Sequence, residues 1–317
     1  MTIDQPPFTF RDRLKAWWEG IELPRAGRAG AGGQGQGAGA AGNAAGDARA
    51  ARRAAVAERE DRGWKPDRIE LLERLWGQGY HGPGLRDQIP TLVRPLALDE
   101  TMSVLEVGAG LGGAARFMAE SYGSWVTGLE SDPELATEGM RASAAAGLEK
   151  RAAIKLFDPE QAVVDQRYDA IFAKEAFFTV ARKNELIEAL AGGLKPRGQF
   201  LFTDYVLSHS ASSGAVLDAW YGGEPSPPHP WTVTQVVERL KRMGLDLRVS
   251  EDISPLHRRQ ILAAWEGLLA GLPPDGIARA ARPLLLEQVE LWMRRVAAID
   301  SGDLRVYRFL ALAPGDV

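Results

Sequence analysis

The sequence predicts an α/β fold in which a mostly parallel sheet is flanked by helices. Short apolar segments alternate with helical ones between residues 99 and 204, a pattern typical of parallel strands joined by crossover helices. The apolar segment 102–107 also runs into a glycine-rich turn, and a helical segment, 114–120, follows directly. A strand, a glycine turn and a helix in this order form a cradle for a nucleotide-like cofactor.

Length and composition limit the classes of protein to which the chain can belong. Its 317 residues, 45% of them hydrophobic and 25% charged, are enough for one large domain with appendages. A net charge of -4 gives no overall field that would attract nucleic acid. The absence of cysteine excludes disulfides and thiol catalysis and favours a reducing compartment, so we expect a cytoplasmic protein. The sequence shows no secretory signal and no apolar run of the ~20 residues that span a bilayer.

Composition divides the chain into four segments. We predict an amphipathic tryptophan-containing arm at 1–25, a flexible Gly/Ala-rich linker at 26–50, a helical cap at 51–98 and a cofactor-binding domain at 99–317. The linker composition cannot bury enough apolar surface to offset the entropy lost on ordering. Within the arm, the stretch 8–21 combines aromatic and basic residues. It either contacts a membrane surface, which would make the protein peripheral to a membrane, or docks on a protein surface.

The glycine turn fits two kinds of cofactor, and an acidic residue distinguishes between them. Gly108, Gly110 and Gly113 match the spacing of a dinucleotide site and that of an S-adenosylmethionine (SAM) site. Glu106 lies at the carboxyl end of the preceding strand. A carboxylate there can accept from the methionine ammonium of SAM, whereas in a dinucleotide site it would face a pyrophosphate. Glu106 therefore favours SAM.

A second acidic residue, Glu130, ends the strand 125–130 and follows Gly113 by 17 residues. At this position it can accept both ribose hydroxyls, as the acidic residue of nucleoside-binding α/β folds does. The alternative is a charge that stabilises a helix N-terminus, because Asp132 and Pro133 begin the next helical segment.

The segment 106–113 resembles the first motif of the class I SAM-dependent methyltransferases. The resemblance implies a Rossmann-like fold, with a mostly parallel seven-stranded sheet, a final antiparallel strand at 304–312 and an N-terminal helical cap. It also implies that Asp158 accepts from the adenine amino group while Phe157 covers the ring, although Asp158 and Pro159 also form an ordinary turn sequence. The predicted SAM-binding residues are Glu106, Gly108, Ala109, Gly110, Gly112, Glu130, Ser131, Phe157, Asp158 and Lys174.

The stretch 168–205 resembles the corresponding run of phosphoethanolamine and related small-molecule amine N-methyltransferases. The matching residues are Glu175, Leu194, Lys195, Pro196, Gly198, Asp204 and Tyr205. Two positions depart from that pattern: Thr179 stands where the family often has a histidine, and Arg197 replaces a turn glycine. The first departure concerns the acceptor and leaves the predicted SAM site untouched.

Two insertions, 205–231 and 254–299, are expected to cover and widen the acceptor pocket. The aromatic residues of the first insertion either form a cation–π cage or pack as an apolar lid. Candidate catalytic residues are Glu175 and Tyr205, because both sit at strand carboxyl ends. A third is His81, in a glycine-rich loop that resembles a segment placed beside the sulfonium in some methyltransferases. His81 either reaches the acceptor or is a solvated loop residue.

We therefore expect a SAM-dependent methyltransferase that acts on a small molecule or a lipid headgroup, at an amine nitrogen. One alternative is a methyltransferase-like interaction or regulatory module that uses the tethered N-terminal arm. The other is a dinucleotide oxidoreductase, which Glu106 opposes. The sequence shows no histidine and carboxylate set with the spacing of a metal site.

Overall fold

A computed structural model describes residues 68–84, 88–209, 214–272 and 282–315. The predicted arm and linker lie outside the described residues. The helices are α1 (Arg68–Trp76), α2 (Ile89–Val93), α3 (Gly113–Tyr122), α4 (Pro133–Ala145), α5 (Lys183–Gly192), α6 (Ala215–Tyr221), α7 (Val233–Arg242), α8 (Ser254–Ala270) and α9 (Arg282–Ser301). Among these helices none combines the length and the hydropathy needed to cross a membrane.

A single sheet runs through the described part of the chain. Its strands are β1 (Ser103–Val107), β2 (Trp125–Glu130), β3 (Ala152–Leu156), β4 (Tyr168–Lys174), β5 (Leu194–Leu207), β6 (Trp231–Thr232), β7 (Asp246–Asp252) and β8 (Leu304–Leu312). The order is β3-β2-β1-β4-β5-β8-β7, and the two-residue β6 pairs with the end of β5. Among the described strands, β8 alone runs in the opposite direction, so it is antiparallel to both of its neighbours, β5 and β7. This topology confirms the predicted Rossmann-like sheet with its final antiparallel strand.

Both faces of the central strands are buried, which explains their continuous apolar sequences. On one face, Val104, Phe172 and Leu201 belong to a core that includes residues of α2, α3 and α4. On the other face, Ile171 and Phe202 belong to a second core, formed with α5 and α7. Because side chains alternate along a strand, each strand contributes to both layers. The cores fix the strand ends whose side chains form the site described below.

Two helices begin at side-chain caps that the sequence encodes. The Asp132 carboxylate accepts from the backbone N–H groups of Glu134 (2.9 Å) and Leu135 (3.1 Å), and Pro133 occupies the first turn of α4. Thr232 and Gln235 form a reciprocal capping box at the start of α7. These caps fix the chain direction immediately after β2 and β6.

The region after β5 is more regular than the irregular insertion predicted for 205–231. β5 continues to Leu207 because its last three residues pair with Leu304 to Val306 of β8. Residues 215–221 then form α6, whose Trp220 is fully buried and packs against Phe178 and Tyr205. The aromatic side chains around α6 therefore pack against one another in a buried cluster, and the choice between a cage and a lid stays open.

The glycine turn after β1 adopts left-handed backbone, as its sequence requires. Gly108, Gly110 and Gly112 have φ values of +75°, +54° and +75°. Gly113 begins α3 and donates its N–H to the carbonyl of Gly79 at 2.9 Å. A Cβ added at Gly113 would lie 2.4 Å from that carbonyl oxygen. The loop at residues 77–80 thus packs directly on the start of α3.

Substitution of Gly113 by alanine is expected to lower the thermal stability, because the new methyl group would overlap the Gly79 carbonyl. Overpacking of this kind destabilises by about 1–3 kcal/mol, which differential scanning calorimetry can resolve. The control is Gly192→Ala, at an exposed position where an added Cβ meets nothing within 4 Å. Equal melting temperatures for the two variants would contradict the close contact between Gly113 and the Gly79 carbonyl.

Candidate functional site

A cavity of about 250 Å3 lies at the carboxyl ends of β1, β4 and β5, where ligands bind in open α/β sheets. We call it the first cavity. Its lining includes Glu106, Gly108, Ala109, His81, Lys174, Glu175, Phe178, Tyr205, Trp292 and Arg295. It therefore connects the glycine turn to side chains from β4, β5 and α9.

Glu106 is buried at the glycine-turn end of the first cavity. Its carboxylate oxygen Oε2 has no hydrogen-bond partner among the described residues. Burial raises the pKa of Glu106 to about 8, and the nearby Glu130 adds to this effect while Arg116 opposes it. A buried carboxylate with this environment fits a cationic ligand group, because a cation would stabilise its ionised form.

Glu130 holds the glycine turn in place. Its Oε2 accepts from the backbone N–H of Gly110 at 2.7 Å, and its Oε1 accepts from the N–H of Asp132 at 2.8 Å. The neighbouring Ser131 hydroxyl lies 3.4 Å from the same carboxylate. Each carboxylate oxygen can accept more than one hydrogen bond. The ribose role of Glu130 thus stays a prediction that this geometry permits.

Phe157 and Asp158 follow β3 at the same edge of the sheet. Phe157 is half-buried against the core, whereas Asp158 is exposed. The Asp158 carboxylate caps the short turn 159–161, accepting from the Glu160 N–H and from the Gln161 side chain. Neither residue lines the first cavity. The turn role is therefore present, and the adenine role stays a prediction.

Glu175 occupies a strained position immediately after β4. Its φ of +46° lies in the left-handed region, which residues other than glycine rarely adopt. The carboxylate is held by Lys174 Nζ at 2.6 Å and by the Thr203 hydroxyl at 2.7 Å. Burial acts to raise the pKa of Glu175, but Lys174 and His257 outweigh it, so the net pKa is lower than usual. Glu175 is therefore an ionised, fully engaged carboxylate.

Tyr205 is fully buried, and its hydroxyl lies 2.8 Å from Nε2 of His257. Burial raises the pKa of Tyr205 above its ordinary value and lowers the pKa of His257 to about 4. Nδ1 of His257 faces Glu175 Oε1 at 3.9 Å. His257 was not among the candidate residues taken from the sequence. The sequence offered one sign of its burial: His257 lies at helical spacing from Ile261 and Trp265, which the same face of α8 buries.

Arg295 of α9 is the second residue that the sequence analysis missed. It donates to both carboxylate oxygens of Glu224, at 2.7 and 2.6 Å, and both side chains are largely buried. Its guanidinium also lies over the rings of Phe178, Tyr205 and Trp292, at 5.6, 5.5 and 4.4 Å from their centroids. The signal was the helical spacing of the cavity-lining residues Gln288, Leu291, Trp292 and Arg295 on α9.

His81 lies half-buried against the glycine turn, so it is not a fully solvated loop residue. A Cβ placed on Gly110 would fall 1.9 Å from His81 Nδ1. Burial lowers the pKa of His81, with Glu130 acting in the opposite direction. His81 lines the first cavity at its cofactor end.

A family model described as a methyltransferase domain matches residues 82–249, which is more than half of the chain. The chain belongs to this methyltransferase family. The match covers the whole of the parallel sheet from β1 to β6 and all of the residues predicted to hold SAM. The predicted family and cofactor class are thereby confirmed.

Individual relatives agree with this assignment. The chain is 30% identical over 172 residues to glycine/sarcosine/dimethylglycine N-methyltransferase from Actinopolyspora halophila, covering 51% of this chain and 29% of the relative. It is 28% identical over 146 residues to phosphoethanolamine N-methyltransferase 1 from Zea mays, covering 46% and 29% respectively. The match therefore spans under a third of the length of these relatives.

A solved structure shares the fold. Phosphoethanolamine N-methyltransferase 2 from Haemonchus contortus, in complex with SAM, aligns with a TM-score of 0.65 and 19% identity. The alignment covers 78% of this chain and 56% of the other. The likeness confirms the class I methyltransferase fold.

The residues of the first cavity fit SAM. The unpartnered Oε2 of buried Glu106 suits the methionine ammonium, and the left-handed glycines leave the backbone without side chains beside it. Filling Gly108 would bring a Cβ to 2.6 Å from the Ala176 methyl, so this turn accepts only glycine at that position. Glu106 and the glycine turn would therefore hold the amino-acid end of the cofactor.

SAM binding is expected to release a proton from Glu106. Its pKa of about 8 keeps it mostly protonated at pH 7, and the ligand ammonium would favour the ionised form. Affinity for S-adenosylhomocysteine should therefore rise between pH 6 and pH 7.5, by up to tenfold per unit. Titration calorimetry in buffers of different ionisation enthalpy measures both effects.

The matched variants separate this effect from general changes in charge. Glu106→Gln should bind S-adenosylhomocysteine more weakly, with no proton release, while the exposed Glu100→Gln should behave as wild type. Proton release that persists in Glu106→Gln would contradict the assignment of Glu106.

Proposed function

We propose that this protein transfers a methyl group from SAM to the nitrogen of a small amine that also carries an acidic group. The observation that carries the proposal is the continuity of the first cavity. One end is formed by Glu106 and the glycine turn, and the other by Tyr205, Trp292 and Arg295. The cavity thus has room for a cofactor end and an acceptor side by side. The two curated relatives described above are named for amine acceptors of this kind.

The residues at the acceptor end of the first cavity can bind an acidic group, which is why we propose one in the substrate. Arg295 is a buried cation, and Glu224 engages two of its nitrogens. A guanidinium has five N–H donors, so it can serve a carboxylate or phosphate of the acceptor as well. The aromatic rings around Arg295 exclude water and strengthen such a contact.

The chemistry assigns different tasks to the two ends of the cavity. SAM, when bound, supplies a methyl group on a positively charged sulfur, which is already a good electrophile. The protein mainly aligns the acceptor and excludes water. Phe178 and Trp292 form apolar walls, and Arg295 orients the acceptor. An ammonium acceptor must also lose a proton before its nitrogen can react.

The two alternatives from the sequence analysis receive less support. Burial of Glu106 with an unpartnered oxygen opposes a pyrophosphate at that position, and hence a dinucleotide oxidoreductase. The interaction module depends on the N-terminal arm, which lies outside the described residues. A lipid headgroup with an amine and a phosphate shares the proposed acceptor chemistry.

A panel of acceptors with labelled SAM tests the proposal. We expect methyl transfer to glycine, sarcosine or phosphoethanolamine, and weaker transfer to glycine methyl ester or ethanolamine, which lack the acidic group. A phosphatidylethanolamine vesicle in the same panel tests the lipid headgroup. Absence of transfer to every amine, in protein that binds S-adenosylhomocysteine, would contradict the proposed function.

The role of Arg295 is tested with both charges of its buried pair removed, because a lone buried Glu224 would destabilise the fold. In Arg295→Met with Glu224→Gln, kcat/KM for the acidic acceptor should fall about tenfold to hundredfold, as expected for a lost charged hydrogen bond. Transfer to the acceptor without the acidic group should change little. An equal fall for both acceptors would contradict a contact between Arg295 and the acidic group.

A further inference from the structure

We propose that Tyr205 and His257 form a relay that moves the proton of the acceptor ammonium out of the first cavity and into a second one. This inference rests on the proposed function, because it concerns the proton that an amine acceptor must lose. It assigns a base to this chain, which has Thr179 where the resembling N-methyltransferases often have a histidine. Thr179 lines neither of the two cavities.

The second cavity, of about 240 Å3, lies between α2, α8 and the ends of β4 and β5. Its lining includes Gln88, Leu92, Lys174, Glu175, Thr203, Leu256, His257, Gln260 and Arg308. Lys174 and Glu175 belong to the walls of both cavities. Leu256 is 44% exposed, so this cavity reaches the protein surface.

Tyr205 and His257 connect the two cavities. Tyr205 lines the first cavity and His257 lines the second, and their side chains meet at 2.8 Å. The contact joins a hydroxyl to an imidazole nitrogen, a pair that can pass a proton along a hydrogen bond.

The environment of each group assigns its task. Burial raises the pKa of Tyr205, so Tyr205 does not act as a stable tyrosinate and must give up its own proton when it accepts one. Burial also holds the pKa of His257 at about 4, so the ring is neutral at pH 7 and can accept a proton. The same low pKa makes His257 pass the proton on to water rather than keep it.

Glu175 is a less suitable base than this pair. Both of its oxygens already accept hydrogen bonds, from Lys174 and Thr203, and its pKa is lower than usual. Its position 3.9 Å from His257 Nδ1 instead stabilises the transient imidazolium. Glu175 therefore positions and stabilises the relay.

The step balances as follows. The N–H bond of the acceptor ammonium breaks, and its electron pair stays on nitrogen as the lone pair that attacks the methyl group. The proton passes to the Tyr205 oxygen while the Tyr205 O–H proton passes to His257 Nε2. After methyl transfer, His257 releases its Nδ1 proton to water in the second cavity, which leaves Tyr205 and His257 neutral. The ring then carries its proton on Nε2, and it returns to the Nδ1-protonated tautomer by proton exchange with water before the next turnover.

Charged groups surround His257 on several sides. Glu175 favours its protonated form, whereas Lys174 from β4 and Arg295 from α9 disfavour it. Arg308 of β8 lines the same cavity, and so does Gln88, the residue before α2, which does not titrate. Tyr205 from β5 faces Nε2 directly.

The first test is the tautomer of His257 in the protein without ligands. Nitrogen NMR is tractable because the sequence has four histidines, and His257→Gln identifies the signal. We expect an unprotonated Nε2 from pH 6 to pH 8, and a changed Nε2 shift in Tyr205→Phe but not in the control Tyr221→Phe. A protonated Nε2 at pH 7 would overturn the relay, because the nitrogen could not accept a proton.

The second test is the pH profile of methyl transfer. Wild type should be nearly independent of pH between 6 and 8, because His257 is neutral throughout. His257→Gln should be about 10²- to 10⁴-fold slower at pH 7. Its rate should rise about tenfold per pH unit, since only free amine can react and an alkyl ammonium has a pKa of about 10.4. A slower variant with an unchanged profile would overturn the relay.

The third test concerns the exit through the second cavity. His257→Ala leaves space beside that opening, so added imidazole should restore a substantial part of the lost rate. No restoration, in a variant that still binds S-adenosylhomocysteine as wild type does, would overturn this exit. Wild type that methylates no amine would instead contradict the proposed function, and the NMR result bears on the relay alone.

Discussion

The structure depends on how three buried carboxylates and one largely buried carboxylate are accommodated at one edge of the sheet. Glu106, Glu130, Glu175 and Asp204 all lie near the carboxyl ends of adjacent strands. Each carboxylate has a different set of hydrogen-bond and ion-pair partners. Backbone N–H groups hold Glu130, and Lys174 and Thr203 hold Glu175. Glu106 keeps one oxygen unpartnered, and burial raises the pKa of Asp204 to about 7. The carboxylates therefore differ in how far their oxygens are already engaged, and Glu106 keeps an oxygen that a ligand can contact.

The Asp204 carboxylate holds together two segments of the chain that lie beside the first cavity. It accepts from the Phe178 N–H at 3.1 Å and lies 3.8 Å from the buried ammonium of Lys183. Lys183 also donates to the backbone carbonyl of His229. Asp204 and Lys183 thus connect the segment after β4 to the segment before β6. This connection keeps Phe178 at the wall of the first cavity.

Much of the fold and the backbone geometry of the glycine turn could be predicted from the sequence, because both depend on local patterns. Apolar runs marked β1 to β4, and the glycines of the turn have the left-handed φ that their spacing suggested. Glu106 lay two residues before the turn, within the same motif. The extent of β5 was missed because residues 205–207 depend on pairing with β8, about a hundred residues later.

The acceptor end could not be predicted, because it is assembled from distant helices. His257 and Arg295 belong to α8 and α9, and neither lies in a motif with fixed spacing to β4 or β5. Each occupies the inward face of its helix, where sequence alone suggests an ordinary core position. Their chemical environment depends on tertiary contacts, because His257 meets the Tyr205 hydroxyl and Arg295 pairs with Glu224.

The most direct test of this account is a calorimetric titration of the purified protein with SAM, S-adenosylhomocysteine and NADH in parallel. We predict micromolar binding of both adenosyl ligands, with one site per chain, and no binding of NADH. Binding of NADH, or no binding of either adenosyl ligand by folded protein, would contradict the assignment of the first cavity.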